Sequence, residues 1–287
     1  MQNIETTSFS HVGTREEQQD SVGMWSNDRS HLIVVADGVG GNVGGAAASQ
    51  AAIQCAKDYW QMHDGVFPAP EDDLTAIAQL SHDAIRELHP NERRTPSSTL
   101  VALYLDTDKK EAHWVHMGDS RLYRINNGKS ITRTLDHSIV QLLLQQGEIT
   151  EDELNSHPDK GRILKSLGAS TFKGVDYDSC TYSPRDTFLL CSDGYWESLG
   201  PNDKPLPPIA TGMTMEQYAR KIVMDAVARN GEKSDNTTVA IAFIPQTDQS
   251  DSPPSSNLKW NLTAILLILI ALVDVAIILC YFLSPEQ

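Results

Sequence analysis

Basic residues are in short supply. The 287-residue chain sets 23 lysines and arginines against 38 aspartates and glutamates, a formal charge of −15. A surface so acidic repels polyanions, which argues against nucleic acid as the main partner. Cysteine is scarcer still. Cys55, Cys180, Cys191 and Cys280 form no CxxC and no paired spacing, so neither a disulfide framework nor a thiolate zinc site is supported, and a reducing compartment is expected. The opening MQNIETTSFSHVG has no basic region followed by an apolar run, so export through a secretory signal is not expected. Residues 1 to 244 hold no internal repeat, and the glycine-rich stretch DGVGGNVGG (37–45) lacks both G-x-G-x-x-G in register and a following Lys-Ser or Lys-Thr. A P-loop is excluded. With 40% hydrophobic and 21% charged residues, the chain can still bury a sizeable core.

One long apolar run is present. Leu262 to Leu283 reads LTAILLILIALVDVAIILCYFL, interrupted by a single charge, Asp274. At about 1.5 Å per residue it reaches ~33 Å as a helix, enough for a hydrocarbon core of about 30 Å. A transmembrane helix is expected over 258–283, with Lys259, Trp260 and Tyr281 as interfacial anchors and 284–287 as a short tail. Lys259 is the only flanking basic residue, so the expected orientation is a single pass with the bulk of the chain in the cytoplasm. Asp274 is expected to face a partner helix or a second copy, since a carboxylate against lipid is costly. The preceding residues, 245–257, are rich in Ser, Pro, Asp and Gln and read as a flexible linker.

That leaves residues 1–244 as one soluble domain. Short β-branched or alternating runs predict strands at 31–36, 99–105, 112–117, 121–125, 187–192 and 237–244. Helical spacing appears at Ala48, Ala51, Ala52, Cys55 and Tyr59, at Leu74, Ile77, Ala78, Ser81, Ile85 and Leu88, and at Ala219, Ile222, Val223 and Ala226. The second, third and fourth strands are joined too closely for crossover helices, which predicts an antiparallel meander. The class is α+β, with stacked sheets covered by helices.

Aspartates fall at the strand ends: Asp37, Asp119 and Asp193 close three strands and Asp235 precedes a fourth. One such residue is ordinarily a turn former. Four that converged about 5 Å apart would repel by about 3 kcal/mol per pair at an effective dielectric of 20, and so would need cations or protons. No Cys and no well-spaced His accompanies them, and His113 and His116 alternate faces on their strand. An oxygen-only set selects Mg2+ or Mn2+ over zinc. The nearby glycines then suit a close backbone approach to a metal, with the Gly38 carbonyl as a ligand.

The series REEQQD (15–20), VADGVGG (35–41), SSTLVALYL (97–105), HMGDSRLYRINNG (116–128), LDHS (135–138), LLCSDGYWE (189–197) and SDNTTVAI (234–241) resembles the metal-dependent serine/threonine protein phosphatases of type 2C, in their short bacterial form. The resemblance covers nearly all of residues 8–244, in order. It implies a central antiparallel β-sandwich flanked by helix pairs, and a binuclear Mn2+ or Mg2+ centre that activates water for attack on phosphoserine and phosphothreonine. By the same resemblance Asp37 bridges the two ions, the Gly38 carbonyl serves the second, and Asp193 and Asp235 complete the first. Asp119 and Asp193 hold a weaker third ion, and Asp20 acts through water. Arg15 binds the substrate phosphoryl group, its ordinary alternative being an ion pair with Glu16 or Glu17. The expected partners are a phosphorylated protein and an opposing eukaryotic-like Ser/Thr kinase, at a bacterial inner membrane.

Three departures stand out. Gln18 replaces the usual Asn, Gln19 stands where many members have a Glu near the second metal, and Val39 occupies the position of a His proposed as general acid in animal members. Leaving-group protonation would then fall to water or another group. His137 is read as structural, and residues from about Ile139 to Gly174 as a variable flap that touches substrate. A catalytically silent, membrane-tethered interaction module of the same fold is the alternative reading.

Overall fold

Strands buried on both faces set the architecture. In the computed structural model, which describes residues 4–39, 44–88, 96–126, 130–154, 156–200 and 203–246, Leu32, Val34 and Ala36 pack under helices while Ile33 and Val35 point into a second core. Phe188 and Leu190 meet that second core from the opposite sheet, whereas Leu189 and Cys191 join a third beneath another helix. Such alternation within continuous apolar runs builds four layers: helix, sheet, sheet, helix. All the described residues fall in one unit of the chain, Met1–Gln246.

The strands are β1 (Glu5–His11), β2 (Asp20–Ser26), β3 (Ser30–Val39), β4 (Ser97–Ser98), β5 (Leu100–Asp106), β6 (Glu111–Met117), β7 (Arg121–Asn126), β8 (Ser130–Arg133), β9 (Asp176–Thr181), β10 (Thr187–Cys191) and β11 (Thr237–Phe243). One sheet runs β1-β11-β10-β7-β8, the other β2-β3-β5-β6-β9 with β4 on β3. Every pairing is antiparallel.

The helices are α1 (Gly45–Met62), α2 (Pro70–Leu88), α3 (Ile139–Gln146), α4 (Asp193–Trp196) and α5 (Met215–Asn230). α2 starts with proline, carries Glu71, Asp72 and Asp73 in its first turn and Arg86 in its last, all favourable to the helix dipole. α5 opens on a capping box, Thr214 with Gln217. α1 and α2 cover one sheet; α5 and the one-turn α4 cover the other, an unequal pair.

The expected three-stranded meander is only two strands long. β5 and β6 pair, but β7 lies in the other sheet between β10 and β8. The short connection Gly118–Ser120 leaves the first sheet through Gly118, at φ 101° with Thr99 packed against it, a conformation a side chain would resist. Asp119 sits on this crossover. β3 and β6 run in the same direction, so their C-terminal ends coincide, and in the other sheet the ends of β1 and β10 meet the starts of β11 and β7. Strand direction therefore brings the acidic positions to one end of the sandwich.

Among the described residues no helix is long and apolar enough to cross a membrane. The span expected at 258–283, with Asp274, lies outside the described residues.

Candidate metal centre

A cavity of about 650 Å³ opens at that end, and its wall contains Arg15, Asp37, Gly38, Asp119, Asp193 and Asp235. Six of the seven site positions read from the sequence thus share one wall. The seventh, Asp20, is buried directly opposite Asp37 in the β2–β3 register. Asp37 lies within β3, its N–H donating to Thr99 Oγ1 at 2.9 Å and its carbonyl accepting from Ser98 Oγ at 2.9 Å. Asp193 is the first residue of α4 instead of the last of a strand.

Glycines let the loops that carry these acids close on one another. A Cβ at Gly38 would stand 2.2 Å from the Gly45 carbonyl oxygen, and one at Gly194 would stand 2.2 Å from that of Asn236. One at Gly13, which has φ 66°, would meet the Asp235 carbonyl at 2.2 Å. Glycine at 38 thus permits a backbone-to-backbone approach at the entry to α1.

Two polar side chains that sequence reasoning missed fasten the loops. Asn236 accepts from the Gln19 N–H at 2.7 Å and donates to the carbonyls of Val12, at 2.8 Å, and Glu17, at 3.0 Å. Ser192 donates to Asp20 Oδ2 at 2.7 Å while its hydroxyl accepts from the Thr238 N–H at 3.0 Å. Their only signal was position, each beside an aspartate in SDG or SDN.

Burial raises the pKa values of Asp20, Asp37, Asp119 and Asp193. Asp20 is pushed up to about 6, burial outweighing the Ser192 hydrogen bond. Asp119 is pushed up to about 7, by burial and then by Asp136. Asp37 and Asp193 rise well above the usual carboxylate range, through burial first and then through Asp193 and Asp119 respectively. Among the described residues, Asp20 Oδ1 and Asp119 Oδ1 are buried with no hydrogen-bond partner. Buried acceptors that lack a donor, in an acidic and oxygen-only setting, fit hard divalent cations.

Arg15 projects at the mouth, its side chain 60% exposed and paired with Asp235 at 2.5 Å. Its carboxylate partner is thus Asp235, and neither Glu16 nor Glu17. Gln19 lines the cavity, its amide donating to Glu17 at 3.0 Å. The Gln18 amide is turned to Ser10 Oγ and the Asp20 N–H. Thr14, Glu16, Glu17, Val39, Asn236, Gly161 and Ile163 also line the cavity, the last two from the expected flap, within which α3 is a helix the sequence did not reveal.

Among the described residues, the three side chains that bring one ligand atom each within 4.8 Å of one another are His116, His137 and Asp176. Their hydrogen bonds oppose a metal there. His137 Nδ1 accepts from the Gly118 N–H at 3.1 Å, which places its proton on Nε2, facing Asp176 at 3.2 Å, with Lys165 Nζ 2.9 Å from the same carboxylate. His137 is structural, as read.

Buried acids with unsatisfied oxygens, an arginine at the mouth and, among the described residues, no Ser, Cys or His in the cavity wall define a metal-dependent hydrolase of phosphate esters. The chain belongs to the protein phosphatase 2C family, whose model matches residues 9–229. It is 29% identical over 235 residues to the serine/threonine phosphatase stp of Listeria innocua serovar 6a, covering 79% of this chain and 90% of that one. It superposes on the catalytic domain of the serine/threonine protein phosphatase PstP in complex with two manganese ions with a TM-score of 0.70, at 25% identity, covering 85% of this chain and 99% of that one. The Streptococcus agalactiae serine/threonine phosphatase shares the fold, with a TM-score of 0.71 at 24% identity, covering 84% of this chain and 100% of that one.

Proposed function

We propose that the chain is a protein serine/threonine phosphatase that hydrolyses phosphoserine and phosphothreonine at a centre of two Mn2+ or Mg2+ ions, with a weaker third. The observation that carries this reading is the single acidic cavity holding Asp37, Asp119, Asp193 and Asp235 beside Arg15, backed by the orphaned oxygens of Asp20 and Asp119. The names of the relatives, and the manganese in one of them, support it.

Asp37, the Gly38 carbonyl, Asp193 and Asp235 would hold the two principal ions and Asp119 the third, with Asp20 acting through water. When bound, the ions supply positive charge against the phosphoryl oxygens and lower the pKa of attacking water. The chain's own work is placement. Arg15, exposed enough to swing, exchanges Asp235 for the substrate phosphoryl group, whose two oxygens match the guanidinium fork. Val39 carries no titratable proton, so water or another group protonates the leaving alkoxide. Gly161 and Ile163 touch the substrate from the flap side.

Around this core we assign 1–244 to the phosphatase domain, 245–257 to a linker and 258–283 to a membrane helix, placing the enzyme at the cytoplasmic face of a bacterial inner membrane, opposed to a Ser/Thr kinase. Asp274 would be an assembly contact. The 22 residues from Leu262 to Leu283, with one charge, support the anchor.

The test is hydrolysis of a phosphothreonine peptide by the full chain, with Mn2+ and with EDTA. Turnover only with metal is expected. Full activity in EDTA would end the reading, and phosphopeptide binding without turnover in Mn2+ would return the silent interaction module. For the anchor, full-length protein that fractionates as soluble would refute it.

A further inference from the structure

Trp196 does not line the cavity, yet it touches the backbone of the wall. It is the last residue of α4, three positions after Asp193, and is buried. Its indole N–H donates to the Asp119 carbonyl at 2.8 Å. An indole N–H can only donate, and in a buried setting it has no water to replace a lost acceptor. One hydrogen bond therefore joins the two acidic segments, the sheet-to-sheet crossover that carries Asp119 and the helical turn that carries Asp193.

The ring itself is held. The Arg121 guanidinium stacks 3.5 Å from its centroid. Asp136 grips that guanidinium at both ends, Nε to Oδ1 at 2.8 Å and Nη2 to Oδ2 at 2.6 Å, and Nη1 donates to Tyr123 Oη at 3.0 Å. Arg121 and Asp136 are both buried. A planar cation clamped on a planar ring leaves the indole little freedom to tilt, so the direction of its N–H is set by charge and packing together.

We propose that Trp196 is a positioning residue: through the Asp119 carbonyl it sets where the Asp119 carboxylate stands relative to Asp193, and so the strength of the weakest cation site. This rests on the metal centre proposed above. Among the described residues Asp119 Oδ1 has no hydrogen-bond partner, and the carboxylate bonds its own backbone N–H, so its aim follows a backbone that is fixed from outside the cavity.

The test is Trp196→Phe, which keeps an aromatic face for Arg121 and deletes the N–H. Mn2+ binding to the full chain is titrated by electron paramagnetic resonance of free Mn2+, beside urea unfolding. The weakest site should lose about tenfold or more in affinity, the scale of a lost supporting hydrogen bond around a metal ligand, while the tighter sites stay within twofold. In an Asp119→Asn background the same substitution should change nothing further. Unchanged Mn2+ binding in Trp196→Phe overturns the proposal, as does equal weakening of every site or an undiminished effect in the Asp119→Asn background. Should the phenylalanine variant fail to fold, site-specific replacement of Trp196 by benzothienylalanine, with sulfur in place of N–H, preserves the ring shape and is scored the same way. A wild-type chain that binds no Mn2+ would sink the metal centre itself, an outcome distinct from a normal wild type with an indifferent Trp196 variant.

Discussion

Asp20, buried, and Asp37, half-buried, stand opposite each other across the β2–β3 pair, at a register position where like charges repel. Only protons or cations make that pairing tolerable. In metal-free protein the Asp20 carboxyl, at about 6 when folded and 3.8 as its ordinary value, binds its proton more tightly in the native state. Its contribution to stability is full below pH 3.8 and is lost as pH rises through about 6. Asp20→Asn escapes that loss. The stability of the variant relative to wild type should therefore climb between about pH 4 and pH 6, by about 3 kcal/mol at 1.36 kcal/mol per pKa unit. Using the difference cancels His31, His82, His113, His116 and His137, whose pKa values burial lowers and which push the other way. Urea unfolding in EDTA across this range is the measurement. Saturating Mn2+ should restore the wild type and not the variant, and a pH-independent difference would contradict the argument.

Asp37→Asn and Asp193→Asn should each lower phosphopeptide hydrolysis in Mn2+ at least ~1000-fold, because each removes a charge that holds the ions. Their metal-free stability should not fall, since both carboxyls are half-buried among like charges that raise their pKa values. A variant that loses activity only by unfolding in EDTA would place its aspartate in the scaffold.

Arg15→Ala should raise KM and reduce kcat/KM by about 2 to 4 kcal/mol, the scale of a charge-assisted contact in a confined site. The Asp235 pair at the surface should matter little to stability. Steady-state kinetics separate the roles: unchanged kcat/KM would leave Arg15 as a partner of Asp235 alone.

What the sequence revealed follows solvent exposure. The six strands it predicted, β3, β5, β6, β7, β10 and β11, are the interior strands of the two sheets. The four long ones it missed, β1, β2, β8 and β9, are the four edges. An edge strand buries less of itself and so reads as polar sequence: β9, DYDSCT, has no fully buried position. The three long helices were legible from apolar spacing, while α3, two turns inside the flap, was not. The acidic positions were legible because strand ends recur with aspartate. Asn236, Ser192 and Trp196 were not, because each works by reaching a backbone group distant in sequence. The β6–β7 switch between sheets was also hidden, since a three-residue connection suits a hairpin as well as a crossover.

A close backbone approach between two acidic segments yields the last prediction. Gly194, beside Asp193, packs its Cα against the carbonyl of Asn236, beside Asp235, so closely that a methyl would fall at 2.2 Å. Asn236 also carries the hydrogen bonds that hold the loop from Val12 to Gln19, and with it Arg15. Gly194→Ala must therefore move Asn236 or α4. Overpacking of this kind costs about 1 to 3 kcal/mol, but the more specific expectation is a higher Mn2+ requirement for activity, because Asp193 and Asp235 separate. Gly212→Ala is the control. That glycine has φ 81° and open space around it, so alanine there brings a backbone cost of about 1 to 2 kcal/mol without touching the cavity. Equal stability loss in the two variants, with Mn2+ dependence shifted only in Gly194→Ala, is the expected pattern. A Gly194→Ala enzyme with wild-type Mn2+ dependence would show that this contact does not set the spacing of Asp193 and Asp235.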